Sequence, residues 1–219
     1  MDAPTLARNL DLPDLLVGWA YATGVTVGES SPALIAELAE LAADPARQGL
    51  NDEVRVGIRS LLRGHGYKPA GRGKPASEFL AGAAAQEQMP QINNLVDVNN
   101  LLSLETGWPI SILDVDRAGT EVFELRHGHP DESYVFNNAG HEISLGGLLC
   151  VARPEGEAFG NPVKDSMATK LAPETNRVLG VIYSSRAVAT PEQVAAASER
   201  FAELMRLHAG AQETAAGVV

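Results

Sequence analysis

The 219-residue chain has a single cysteine, so no internal disulfide can staple it. Cys150 lies in the apolar run Gly147-Leu148-Leu149-Cys150-Val151-Ala152, which predicts a buried strand and a small core side chain rather than a nucleophile. No apolar run reaches the length that spans a bilayer, and no basic start leads into an apolar core with a small-residue cleavage site. A soluble, cytoplasmic protein with no membrane partner is expected. Net positive charge is lacking as well: the formal charge of -11, with pI near 4.9, excludes whole-surface attraction to a polyanion. The Gly-x-Ser-x-Gly elbow of serine hydrolases is missing. Gly66 and Gly71 have phosphate-loop spacing, but Arg72-Gly73 stands where Lys followed by Ser or Thr is required, so nucleotide hydrolysis is not expected. His127-Gly128-His129-Pro130-Asp131, with His141 farther on, lacks a compact Cys/His set or a His-Glu-x-x-His helix. Neither a metal nor another cofactor is expected.

One further absence is local. Between Arg55 and Lys74 there is no acidic residue, and Arg59, Arg63, His65, Lys68 and Arg72 fall within that stretch. An acidic chain has gathered much of its positive charge in one segment. Two readings fit it: a solvated helix face followed by a loop, or a local phosphate-binding patch whose affinity falls with salt.

With 45% hydrophobic residues, the chain can bury a core as one domain over residues 1–210. Residues 14–27 read as an early strand and a turn into another extended piece. Ser31-Pro32 opens a helix to about residue 43, and Val54, Ile58, Leu61 and Leu62 recur at helical spacing over 52–63. The Gly- and Pro-rich stretch 64–75 predicts a loop. Helices follow near 76–88 and 92–106, the second stopping at Gly107. Short strands are predicted over 110–115, 120–126, 133–136, 142–145, 147–152 and 177–184. A last helix runs from Thr190 to about residue 208, with Thr190 and Gln193 at capping-box spacing. Residues 211–219 are small and polar enough to fray. Helices followed by strands make an α+β domain.

The predicted helix over 92–106 puts Asn99 and Ser103 on one stripe with Ile92, Leu95, Val96 and Leu102, and Asn100 one step around. A buried amide must find a partner or cost about 1 to 3 kcal/mol. Asn99 and Asn100 therefore either bond neighbouring backbone or meet a ligand. Ser111 alternates with Leu113 and Val115 on its strand and looks inward. The polar loop Phe159-Gly160-Asn161-Pro162-Val163-Lys164-Asp165-Ser166 either lines a mouth or closes a turn.

Over residues 63–185 the motifs Pro90-x-Ile92-Asn93-Asn94-Leu95-Val96-Asp97-Val98-Asn99-Asn100, then Leu104-Glu105-x-Gly107-x-Pro109, Asp114, and Glu174-Thr175-x-x-Val178-Leu179 occur in order. As an ordered set they resemble the B-three/B-four domain of the phenylalanyl-tRNA synthetase beta chain, especially its free-standing versions. The resemblance implies a mixed sheet with flanking helices and a cleft in which the amino acid on a tRNA end is inspected and removed, a second sieve for errors that binding alone discriminates too weakly. That family typically has Thr-Asn at Asn99-Asn100, so the second amide matches and the first does not. It typically has His at Ser111 and Glu at Val181, polar groups that help to recognise a phenolic amino acid, and their replacement here points away from tyrosine, toward an apolar or smaller cargo.

On this resemblance Asn99, Asn100 and Ser111 are expected to orient the ester or the attacking water. Ser103, Gly160, Asn161 and Val181 would line the pocket, with amides near Gly160 facing the oxyanion. Arg63, Lys68, Arg72 and Lys74 would contact the phosphates of the tRNA acceptor end. No covalent intermediate is expected. The rival functions are a non-catalytic module binding tRNA or an amino acid, and a hydrolase of a small amino-acid ester. The oligomeric state stays open.

Overall fold

The computed structural model describes residues 3–219. Its elements begin with β1 (Thr5–Arg8) and β2 (Leu15–Thr23), then α1 (Pro32–Ala43), α2 (Asp52–Leu62), α3 (Ala76–Ala85) and α4 (Asn94–Thr106). β3 (Ile110–Asp114), α5 (Val115–Ala118), β4 (Val122–His127), β5 (Ser133–Val135), β6 (Glu142–Ser144), β7 (Leu149–Ala152) and β8 (Ala158–Gly160) follow. β9 (Arg177–Ser185), α6 (Pro191–Ala209) and β10 (Glu213–Val218) complete the chain. Three layers result. One sheet, ordered β10-β2-β9-β3 and antiparallel throughout, lies between helices on one face and a second sheet on the other. The second sheet, β1-β4-β7-β8, is mixed because β1 runs parallel to β4. The α+β class and the mixed sheet agree with expectation.

Strand alternation builds both cores at once. On β2 and β9, Leu16, Ala20, Ala22, Val178 and Ile182 face the helices, while Leu15, Val17, Tyr21, Leu179, Val181 and Tyr183 face the second sheet. α6 crosses the first sheet so closely that a Cβ at Gly180 would stand 2.2 Å from the Phe201 ring. Only glycine allows that approach.

The predicted helix signals hold. Ser31 caps α1 by accepting from Leu34 N at 3.2 Å, and Thr190 and Gln193 form the reciprocal capping box of α6. α4 ends at Gly107 with φ 73°, where a Cβ would also meet Leu50 N at 2.5 Å. Four elements differ from expectation, the first being the one-turn α5, which Asp114 caps where the strand over 110–115 was expected to end. Residues 211–219 do not fray: β10 pairs antiparallel with β2 from Glu213–Thr23 to Val218–Gly18, because the β2 edge offers unpaired backbone groups that outweigh weak local propensity. β1 and β8, at four and three residues, were too short to stand out by pattern. No helix among the described residues is long and apolar enough to cross a membrane.

Candidate functional site

Much of the motif run on α4 builds the fold. Asn93 caps the helix, accepting from Val96 N at 2.9 Å. Asn94 is buried and ties three segments together: it donates to Thr26 O at 2.8 Å and His208 O at 3.0 Å, and accepts from Gly28 N at 3.0 Å. Asp97 accepts from Ser30 Oγ at 2.6 Å and Ile92 N at 3.1 Å. Downstream, Asp114 caps α5 through Arg117 N and accepts from the Thr175 hydroxyl. These polar groups replace water with backbone and one another, so each is satisfied inside the fold.

Asn99 is different. It is 8% exposed, and its Oδ1 is buried with no hydrogen-bond partner among the described residues. It lines a cavity of about 640 Å³, within the range of roughly 300 to 1,000 Å³ typical of small-molecule sites. Val96, Ile110, Ile112 and Leu171 supply an apolar wall, with Ile92 at the mouth. Asn161, Lys164, Asp165 and Lys170 bring the polar groups from the segment that follows β8.

That segment is held by its own side chains. Asn161 Oδ1 accepts from the backbone amides of Val163 and Lys164 at 2.8 and 2.9 Å, and its Nδ2 donates to the Tyr134 hydroxyl. Tyr134 in turn donates to Lys164 O at 2.5 Å. Asp165 reaches back to β3, accepting from Ser111 Oγ at 2.6 Å and Ile112 N at 3.2 Å. Ser111 Oγ also lies 2.9 Å from the Tyr183 hydroxyl. Burial raises the Asp165 carboxyl above its ordinary value of 3.8, opposed by Lys170 and by the Ser111 and Ile112 bonds. Burial also holds the Tyr134 and Tyr183 phenols well above 10, which keeps them protonated donors.

The expected site residues therefore part company. Asn99 and Asn161 stand in the cavity wall. Asn100 is buried on α4, one step around from Asn99. Ser103 is consumed by a bond to Trp108 O at 2.7 Å, so it braces the turn after α4. Ser111 is fully buried and supports Asp165 from behind. Val181, its cross-strand partner, belongs to the core between the two sheets. The reason is strand period: Ser111 and Val181 share the face away from the helices, whereas Ile110 and Ile112 turn toward the cavity. Gly160 sits in β8 opposite Val151, and a Cβ there would press on Asp165 Oδ1 at 2.8 Å and Ser111 Oγ at 3.0 Å. The oxyanion donors expected near it are taken in part, since the Val163 and Lys164 amides serve Asn161. Asp165, Lys164 and Lys170 were not singled out from sequence. The signal for Lys164 and Asp165 was the density of polar residues in 159–166, and Lys170 lies beyond that run.

A second hollow of about 550 Å³ adjoins the first and shares Phe136, Asn137 and Lys164 with it. Arg72 stands in its wall, with Glu142 and His141 also present. Burial and the neighbouring Arg72 both lower the Lys164 pKa, and its ammonium sits 3.9 Å from the Phe136 ring centre. Within the acid-free segment, Arg55 pairs with Asp52 and Arg59 with Glu78. Arg63, Lys68, Arg72 and Lys74 have no ion-pair partner among the described residues, although Lys74 lies 4.4 Å from the Phe79 ring centre. His127 stacks on His65 at 3.6 Å, and no cluster of three or more metal-ligand side chains occurs among the described residues.

A model of the B3/4 domain family matches residues 70–210. This chain belongs to the B3/4 domain family. Over 106 residues it is 29% identical to the phenylalanine–tRNA ligase beta subunit of Gloeobacter violaceus, a stretch covering 48% of this chain and 13% of that protein. Among solved structures, an N-terminal fragment of the phenylalanyl-tRNA synthetase beta-subunit from Pyrococcus horikoshii aligns at TM-score 0.49 and 11% identity, over 94% of this chain and 49% of that one. The resemblance read from the ordered motifs is thus borne out at the level of family. In this B3/4 domain the motif residues mark the fold more than the site: Asn94, Asp97, Asp114 and Thr175 all spend their polar groups internally.

Proposed function

We propose that this B3/4 domain protein is a stand-alone deacylase that hydrolyses misacylated aminoacyl-tRNA. The reading rests on one observation above all. A cavity with an unpartnered carboxamide and an apolar wall shares Phe136, Asn137 and Lys164 with a hollow bearing Arg72. The first hollow suits an aminoacyl group, and the second suits the phosphates and terminal nucleoside of an acceptor end. Phosphate contacts of this kind work locally, so an acidic protein can still hold the end of a tRNA.

The inventory of groups favours water as nucleophile. Cys150 is buried in the core between the sheets, its thiol pushed up to about 12 by burial, and Ser111 is sealed behind Asp165. An aminoacyl ester is already activated, so orientation and charge stabilisation carry much of the catalysis. Water oxygen bonds to the acyl carbon, the acyl carbon–ribose oxygen bond breaks, and the ribose oxygen takes a proton. Asn99, with Lys164 and Lys170 in the same wall, supplies the groups that orient the carbonyl and stabilise the oxyanion. Val96, Ile110, Ile112 and Leu171 favour a small or apolar cargo.

The test is incubation of the purified protein with a panel of labelled aminoacyl-tRNAs, following release of free amino acid. Loss of one or two esters is the expected result. Binding without cleavage would make the protein a non-catalytic module, and absence of both would point to a small amino-acid ester.

A further inference from the structure

Asp165 is the one carboxylate among the side chains that line the first cavity, and its geometry leaves it incompletely used. Its oxygens accept from Ser111 Oγ, Ile112 N and the backbone of Asn161, and a carboxylate has about four acceptor positions. No described cation lies within ion-pair distance of it; Lys170 acts on it only from farther away. The same wall holds the unpartnered Oδ1 of Asn99. A carboxylate with an acceptor position to spare and no paired cation thus shares the wall of the cavity with an amide whose oxygen has no donor. A partly buried carboxylate without a paired cation gains from a ligand that brings one.

The donors in that wall point to a division of labour. Arg117 is engaged with the carbonyls of Ala168 and Met167 at 3.2 and 3.4 Å, and Lys164 leans on Phe136 at the border with the second hollow. Positive charge gathers at the phosphate side and negative charge at Asp165. Ser111, Tyr183, Gly160 and Ile112 hold the carboxylate in place: the serine and the amide bond it, the tyrosine bonds the serine, and the glycine leaves it room. A group fixed this firmly recognises by position.

We propose that Asp165, beside Asn99 in the same wall, anchors the free α-ammonium of the aminoacyl group, so that the site accepts unblocked amino acids and rejects N-acylated ones. This rests on the reading of the cavity as an aminoacyl site, not on whether hydrolysis occurs. An ammonium supplies three donors to the two side chains and leaves the ester carbonyl to the cationic end of the wall. An N-acyl group removes the charge and two donors and adds bulk. The anchor thereby separates elongator-type aminoacyl ends from N-blocked ends.

The experiment uses non-hydrolysable amide mimics, 3′-aminoacylamino-3′-deoxyadenosines carrying alanine, valine or phenylalanine, each with a free or an N-acetylated amine. Calorimetric titration of the full chain is expected to give a preference for the free amine of about 10- to 100-fold, the range for a charge-assisted hydrogen bond. Asp165→Asn should abolish most of that preference by weakening the free-amine mimic far more than the N-acetyl one. Asn99→Leu, which leaves the β3 bonds of Asp165 untouched, should reduce the preference several-fold and serves if Asp165→Asn fails to fold. Equal affinity of the folded wild type for both amines, or a preference that survives both substitutions, overturns the anchor while leaving the cavity as an aminoacyl site. Binding of neither mimic overturns both. A free-amine preference without any tRNA deacylation retains the anchor and refutes the hydrolase.

Discussion

Asn99→Leu is expected to make the protein more stable and less able to hold its ligand. Asn99 is 8% exposed and its Oδ1 lacks a partner among the described residues. Leaving a buried polar atom unsatisfied costs about 1 to 3 kcal/mol, and leucine has similar shape with no polar atom to strand. Leucine must still fit a pocket shaped around an amide, which offsets part of the gain, so about 1 kcal/mol is the expected net effect. In a domain of this size that raises Tm by about 2 to 4 °C. Urea unfolding should show a higher midpoint at unchanged slope. The contrast is Asn94→Leu, five positions earlier on the same helix. It strands Gly28 N, Thr26 O and His208 O together, and should cost about 2 to 4 kcal/mol. If Asn99→Leu instead lowers the midpoint as Asn94→Leu does, Asn99 is a structural residue and the cavity loses its main recognition group.

Replacing Arg63, Lys68, Arg72 and Lys74 together by alanine should weaken tRNA binding and flatten the log–log salt dependence by about 3, at roughly 0.7 per single-strand phosphate contact; an unchanged slope in a filter-binding titration removes these residues from the interface. The Asp165 carboxyl is raised by burial, so the folded state holds its proton to higher pH than the unfolded state does. Its contribution to stability is therefore most favourable below the ordinary carboxylate value and declines as pH rises through the raised one. Unfolding free energies of Asp165→Asn relative to wild type should accordingly improve as pH rises above the ordinary carboxylate value of 3.8; a difference that does not vary with pH refutes the assignment.

The comparison of α4 with the segment after β8 shows what kind of information each level carries. Caps are local chemistry: Ser31, Asn93, Gly107 and the Thr190–Gln193 pair work within one turn of the chain, and their positions could be read directly from residue order. Periodicity was equally local, and it established helices, strands and the α+β class. The ordered motifs sufficed for the family because they encode fixed internal bonds, such as Asp114 with Thr175 across 61 positions. Their meaning was not readable in the same way. Asn94 and Asn99 look alike as letters in one amphipathic run, and only the arrival of the 26–28 segment and α6 separates a satisfied amide from a free one.

Residue order alone established where the long helices start and stop, where many of the strands lie, where basic charge collects, and which family the chain resembles. Packing between distant segments assigned everything that depends on facing. It seated β10 on β2, turned Ser111 and Val181 away from the cavity while turning Ile110 and Ile112 into it, and brought Asp165 to the back of Ser111 from 54 positions away. The physical reason is range. Capping and periodicity act over a few residues, whereas burial and hydrogen-bond satisfaction are properties of neighbours that the chain acquires only on folding.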